Sequence, residues 1–279
     1  MRRIVPILVA ALVSAMLAAC ATSPTGRKQL ILLPEDQMTE LGIASFREMK
    51  KKQPVAEDPR ANRYVRCVAE AIVAVLPPRW RRKQWEVVVF KDKTPNAFAL
   101  PGGKIGVHTG MLKVAANADQ LAAVIGHEVG HVLARHGNER LSQNMAAQAG
   151  LAVTAALLGG SPEKRQRTLA LLGVGTQLGI LLPFSRRQES EADEIGLELM
   201  AKAGFDPREA VQLWRNMTRA SHGGKPPEFL STHPADATRI RNLQKLMPRA
   251  LALFRQARAA GRHPDCDRWR PAAVGDDGG

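Results

Sequence analysis

Aromatic residues are scarce in this chain: they make up 4% of it, with a single tyrosine. The many basic residues therefore lack the partners a nucleic-acid groove needs. They fall in scattered groups, Arg79 to Lys83, Lys164 to Arg167, Arg186 with Arg187 and Arg239 with Arg241, and only the first carries an aromatic, Trp80. A nucleic-acid surface would set its cations in one stripe with aromatics between them. The excess of 40 Lys and Arg over 26 acidic residues reads instead as a solvated basic surface, with no nucleic acid as partner. Long apolar runs are missing as well. The stretches at 145–158 and 168–182 fall short of the roughly 20 residues of a spanning helix, and Gln148, Thr154 and Gln177 interrupt them. They are expected to be core or lid helices, with dipping into a membrane as the lesser alternative. Gly173, Gly175 and Gly179 follow no strand and do not match dinucleotide spacing, so they are assigned to helix packing.

What is present begins with MRRIVPILVAALVSAMLAAC. Arg2 and Arg3 precede a short apolar run, Ile4 to Leu17, and such a run with such flanks is an export signal rather than a spanning helix. Its Leu17-Ala18-Ala19-Cys20 ending resembles a bacterial lipobox. That resemblance implies cleavage before Cys20 and lipidation of Cys20, leaving a protein held to a membrane by acyl chains. Ala21 after the lipidated position points by the same resemblance to the outer membrane, facing the periplasm. Of the three cysteines, Cys67 and Cys266 then remain. In an oxidising compartment they either pair as one disulfide, tying the tail to an early helix, or stay a buried thiol and a free tail thiol.

The remainder reads as a helix-rich α+β chain. Residues 1–19 are the signal, 20–32 the anchor and tether, 33–255 one domain and 256–279 a flexible tail. Helical patterns run from Leu33 to about Lys51 and from Asp58 to Leu76, where Val65, Val68, Ile72 and Val75 repeat at helical spacing and Pro77-Pro78 stops them. Trp85 to Phe90 and Lys104 to His108 are strands by their β-branched content, with a turn-bearing NAFALPGG between them. Further helices are expected at Asn117–His136, Gln188–Ala203 and Ala235–Met247, with Gly204 ending the second of these and Pro207 opening another. The segment from His263 is polar and expected to be disordered.

The chemistry sits in 121-LAAVIGHEVGHVLARHG-137, where three of the seven histidines fall within ten residues. His127, Glu128 and His131 form H-E-x-x-H. On a helix, positions i and i+4 share a face, so both imidazoles can meet one zinc ion, while Glu128 can take a proton from a water beside it. Val124, Ile125, Val129, Val132 and Leu133 supply the frame of a buried helix, and Gly130 leaves room near the metal. The bland alternative is a core helix with two satisfied histidines. It leaves a buried Glu128 without a role.

A catalytic zinc needs a third protein ligand and one open position. The pattern with a third histidine six residues on fails here, because position 134 is Ala and position 137 is Gly. His136 is off register and reads as a supporting or surface residue. In 185-SRRQESEADEIGLELM-200, Glu189 and Asp193 share a face with Ala192, Gly196, Leu199 and Met200, whereas Glu191 lies about 200° away. Glu189 is therefore the better ligand, and Asp193 is positioned to accept the N–H of a ligating histidine.

HEVGH, SRRQESEAD and 231-STHPADATRI-240 together resemble the CAAX-prenyl-protease-like zinc metallopeptidases, most closely the envelope lipoprotein branch. GRKQLILLPEDQ and NAFALPGGKIGVHTGML are similar to that branch too, and the likeness spans roughly residues 26 to 247. It implies an α+β, mainly α, zincin-like domain whose small sheet has an edge strand lining the active-site cleft. One Zn2+ per chain would be held by His127, His131 and Glu189, with Glu128 as base. Asn96, Ala97 and Phe98 would lie where an extended substrate pairs with that edge. His233 would either plug the open zinc position at rest or stabilise the oxyanion, and Arg239 would do the latter; the plain alternative for His233-Pro234 is a helix N-cap turn. The expected activity is hydrolysis of peptide bonds in unfolded or damaged envelope proteins. The rival is a zinc-bound chaperone or assembly factor for outer-membrane proteins that cuts little.

Overall fold

The computed structural model describes residues 20–157, 184–220, 228–233 and 237–271. The expected export signal, the 168–182 segment and the Pro234 turn fall outside these residues. In chain order the elements are β1 (Cys20–Thr22), β2 (Lys28–Leu30), α1 (Glu35–Lys52), α2 (Pro59–Ala74), α3 (Pro78–Arg81), β3 (Glu86–Phe90), β4 (Ala97–Leu100), β5 (Lys104–His108), α4 (Met111–Val114), α5 (Ala118–Leu133), α6 (His136–Leu157), α7 (Arg186–Ala203), α8 (Arg208–Ala220), α9 (Glu228–Thr232) and α10 (Ala237–Ala259), followed by a 3-10 turn at Asp267–Trp269. The fold is α+β and mainly α. Among the described residues no helix is long and apolar enough to cross a membrane.

Two compact units divide the chain: residues 38–133 with 183–279, and residues 1–37 with 134–182. In the smaller one, the stretch read as a tether is a β1–β2 hairpin with Ala21 opposite Gln29. Its ordering has a clear cause. Arg27 grips Glu139 through two hydrogen bonds of 2.6 and 2.7 Å, and Gln29 donates to the Ala134 carbonyl at 2.7 Å. Helix α6 begins at His136, nine residues before the Met145 start read from apolar content, because its polar first turn is buried: Asn138 donates to Leu33 O and Ser142 accepts from Leu32 N. His136 is fully buried in this unit.

In the larger unit a three-stranded sheet has the order β3-β5-β4. β5 is buried at every position and runs parallel to β3 and antiparallel to β4. The segment that local composition read as a turn between two strands therefore holds a strand, the edge strand that the family resemblance implied. Flanking Pro95, Pro101 and two glycines hid it, and pairing with β5 supplies what four residues lack alone. Among the described residues β4 is hydrogen-bonded on one side only, and it packs against α5.

Helix α5 is buried on all sides, as an apolar helix at the centre of a domain must be. Its first turn is capped twice. Asn117 Oδ1 accepts from Gln120 N and Asp267 Oδ1 accepts from Ala118 N, at 2.8 and 2.9 Å. Against it lies α7, started by a Ser185–Gln188 capping box and stopped at Gly204, which has φ 92°. The two helices approach through small residues. A Cβ on Gly130 would stand 2.9 Å from Ala192 O, and one on Gly196 would stand 2.7 Å from His127 N. The room at Gly130 thus serves the neighbouring helix.

Two sequence expectations end too early at the C-terminal side. Helix α10 runs past Met247 and through Pro248 to Ala259. Pro248 removes one helical N–H, but it is exposed, and the buried Ala250 and Ala257 beyond it hold the second half to the core. The segment from His263 is ordered as far as Pro271. Cys266 is fully buried and forms a disulfide with Cys67 of α2, and Arg63 stacks on Trp269.

Candidate metal centre

His127 and His131 leave α5 one turn apart, Glu189 comes from the first turn of α7, and His233 follows α9, where its N–H bonds Phe229 O at 2.8 Å. One donor atom from each of the four lies within 4.8 Å of the others. His127 Nε2 is 3.0 Å from His131 Nε2 and 3.3 Å from His233 Nδ1. Glu189 Oε1 lies 3.0 Å from His233 Nδ1 and 3.4 Å from His131 Nε2, and Glu189 Oε2 lies 3.5 Å from His127 Nε2. Donors held about 2.0–2.1 Å from an ion in a tetrahedron stand about 3.3 Å apart, so these spacings fit one tetrahedral metal. Imidazole nitrogens converging at this range have no good hydrogen-bonding arrangement among themselves, whereas a shared cation satisfies them all. The donor set of three imidazoles and one carboxylate is consistent with zinc.

The surrounding groups orient these donors. Asp193 Oδ1 lies 3.0 Å from His127 Nδ1. Arg239 donates to both oxygens of Asp193, at 2.7 and 2.6 Å, and its Nη1 lies 2.6 Å from Glu189 Oε2. Glu191 is also buried but is not among the converging donors. Glu128 is 4% exposed. Among the described residues its Oε1 takes no hydrogen bond, and His233 Nε2 lies 3.6 Å from it.

The protein's own charges tune these groups. Burial raises the Glu128 carboxyl above its ordinary range. Burial also pushes Glu189 upward, but the three histidines outweigh it and hold it well below. For Asp193 the Arg239 charge and hydrogen bonds overcome the upward push of burial, so it too is lowered. Burial drives His131 well down. Burial and Arg239 act downward on His127, yet its bonds to Asp193 and Glu189 carry it up to about 9.

The sequence-derived candidates Glu128, His127, His131, Glu189, Asp193, His233 and Arg239 all meet here. Asn96, Ala97 and Phe98 do not join them; Asn96 precedes the edge strand, and Ala97 and Phe98 begin it. The Asn96 carbonyl accepts from His108 N at 2.9 Å, Ala97 is buried, and the Phe98 ring packs on Phe46 and Phe90. Three aromatics went unread: Phe184 lies 4.1 Å from the His131 ring, Phe229 stacks on His233 at 4.6 Å, and Trp214 carries Arg239 on its face at 3.7 Å. Of these, Trp214 had a signal, since it continues the apolar stripe of α8 with Ala210, Val211 and Met217. That stripe reads as ordinary core.

Comparison with known proteins agrees with this geometry. The profile described as Peptidase family M48 matches residues 59–247. The mitochondrial metalloendopeptidase OMA1 of Schizosaccharomyces pombe is 42% identical over 188 residues, covering 67% of this chain and 53% of that protein. The mitochondrial metalloendopeptidase OMA1 of Danio rerio is 33% identical, covering 90% and 54%. A putative beta-barrel assembly-enhancing protease of Vibrio cholerae is 31% identical, covering 74% and 43%. The chain spans about half the length of the curated relatives it matches.

Proposed function

Because the chain belongs to peptidase family M48, we propose that it is a zinc-dependent endopeptidase acting on extended segments of unfolded or damaged proteins of a bacterial cell envelope. The observation that carries this reading is Glu128, a buried carboxylate with an unbonded oxygen beside the donor cluster. His127, His131 and Glu189 would hold the metal, with Asp193 accepting from His127. Zinc, when bound, supplies a Lewis acid that polarises the scissile carbonyl and makes a nearby water acidic. Glu128 takes the proton of the attacking water and hands it to the leaving amine. Burial raises this carboxyl above its ordinary range, which strengthens it as a base.

His233 closes the centre at rest as a fourth donor, and its withdrawal opens the position the substrate carbonyl needs. Arg239, hydrogen-bonded to Asp193 and ion-paired with Glu189, serves to hold the ligands. The free side of β4, entered through Asn96, Ala97 and Phe98, takes the substrate as an added antiparallel strand. The envelope location rests on the export-signal pattern, on the lipobox-like ending at Cys20 as a lipid anchor to the outer membrane, and on the likeness to the beta-barrel assembly-enhancing protease of Vibrio cholerae. The four-donor centre also favours a second reading, a zinc-bound chaperone that cuts little.

The test is casein cleavage by chain starting after Cys20, wild type beside Glu128→Gln, with zinc measured on both. Both should carry about one zinc, and the variant should lose roughly 10²- to 10⁴-fold in rate. Zinc on both with no cleavage by either favours the chaperone reading, and absence of zinc from both would sink the metal centre.

A further inference from the structure

Arg239 is 3% exposed, so a cation lies in the core beside a centre that is to receive another. Two carboxylates balance it, and its fork is bidentate on Asp193. That grip is geometric. The guanidinium is planar, and its two parallel bonds survive only while it stays coplanar with the Asp193 carboxylate. A rocking guanidinium would lose one bond to Asp193 or its ion pair with Glu189.

What lies on the face of that plane is Trp214. The guanidinium carbon is 3.7 Å from the ring centroid, while the other cation–ring distances in the described residues run from 4.6 to 5.6 Å. The indole is 4% exposed. It also presents an edge-on contact to His127 at 6.1 Å and a tilted one to Phe229 at 5.9 Å.

We propose that Trp214 is a positioning residue of the metal centre: its indole face fixes the plane of the Arg239 guanidinium and, through Asp193 and Glu189, the aim of His127 and the ligating carboxylate. The inference rests on the metal-centre reading above. Trp214 is not among the converging donors. A leucine would fill much of the volume and keep the site apolar, but it would offer no flat electron-rich face. A phenylalanine would keep a smaller, weaker one.

The experiment measures zinc affinity by competition with a chromophoric chelator. It uses the wild-type chain, Trp214→Leu, Trp214→Phe, Arg239→Lys and the double variant Trp214→Leu with Arg239→Lys. Trp214→Leu is expected to weaken zinc binding by about tenfold or more; the cavity it leaves also lowers the zinc-free thermal midpoint, so the comparison that decides is the one between the two Arg239 backgrounds. Trp214→Phe should retain most of the affinity. In the Arg239→Lys background, which has already lost the planar fork, Trp214→Leu should cost little more. Unchanged affinity in Trp214→Leu, or equal losses in both backgrounds, would overturn the proposal. If Trp214→Leu does not fold, Trp214→Phe is compared in the same two backgrounds: a loss that disappears with Arg239→Lys supports the route through Arg239, and an equal or absent loss overturns it. A wild-type chain that binds no zinc would instead bring down the metal-centre reading, and this inference with it.

Discussion

His233 is where one side chain decides whether the centre is closed. Its Nδ1 stands among the ligand atoms and its Nε2 faces Glu128. If it is a resting plug, His233→Ala leaves three donors and frees the fourth position. Zinc should then stay bound and casein cleavage should rise, by about tenfold if the closed form holds roughly nine molecules in ten. A fall in rate with zinc retained would mean that the imidazole serves the reaction instead. At the other end of α5, Asp119 is pushed up to about 6, by burial first and then by Asp206, Asp267 and Glu209, against one backbone hydrogen bond from Asp206. The folded chain therefore keeps this proton between its ordinary pKa of 3.8 and about 6, where the unfolded chain has lost it. Stability from this group is full below that window and is lost as pH rises through it. Asp119→Asn can still accept from Asp206 N, so it should melt above wild type at pH above about 7 and converge with it near pH about 4. A gap in melting midpoint that is constant with pH would rule this out.

Between elements, the α5–α7 crossing brings the histidines to the glutamate. It depends on a missing Cβ. Gly130→Ala would set a methyl 2.9 Å from the Ala192 carbonyl, a backbone atom that moves only with its helix. The expected cost is about 1–3 kcal/mol of stability, with weaker zinc binding because His127 and His131 ride on one helix and Glu189 on the other. Gly150 on α6 is the control, since nothing lies within 4 Å of its added Cβ. Gly150→Ala should stabilise by about 0.5–1 kcal/mol and leave zinc affinity alone. Denaturant melts and chelator competition read both effects, and equal zinc affinity in Gly130→Ala and wild type would refute the coupling. The capping signals of α7 were readable beforehand, because Ser185 and Gln188 stand three apart. The β4 strand was not, because its stability comes from β5 and not from its own four residues.

Across the larger unit, the Cys67–Cys266 bridge spans 199 residues of sequence and pins the turn whose Asp267 caps α5. Replacing both cysteines by serine should cost about 2–4 kcal/mol, since a long loop is released in the unfolded chain. It would appear as a lower melting midpoint, and an unchanged midpoint would show that packing of the tail suffices without the bond. The chain's local patterns determined the donor types and the helices that carry them. H-E-x-x-H and the Glu189–Asp193 pair lie within single helices, where a spacing of four residues dictates a shared face. Only the tertiary structure decided that Arg239 grips Asp193 and Glu189, that Trp214 lies under it, and that His233 enters the ligand set. Those side chains come from separate helices tens of residues apart. How α5 meets α7 is set by close packing through Gly126, Gly130, Ala192 and Gly196, which no local period encodes.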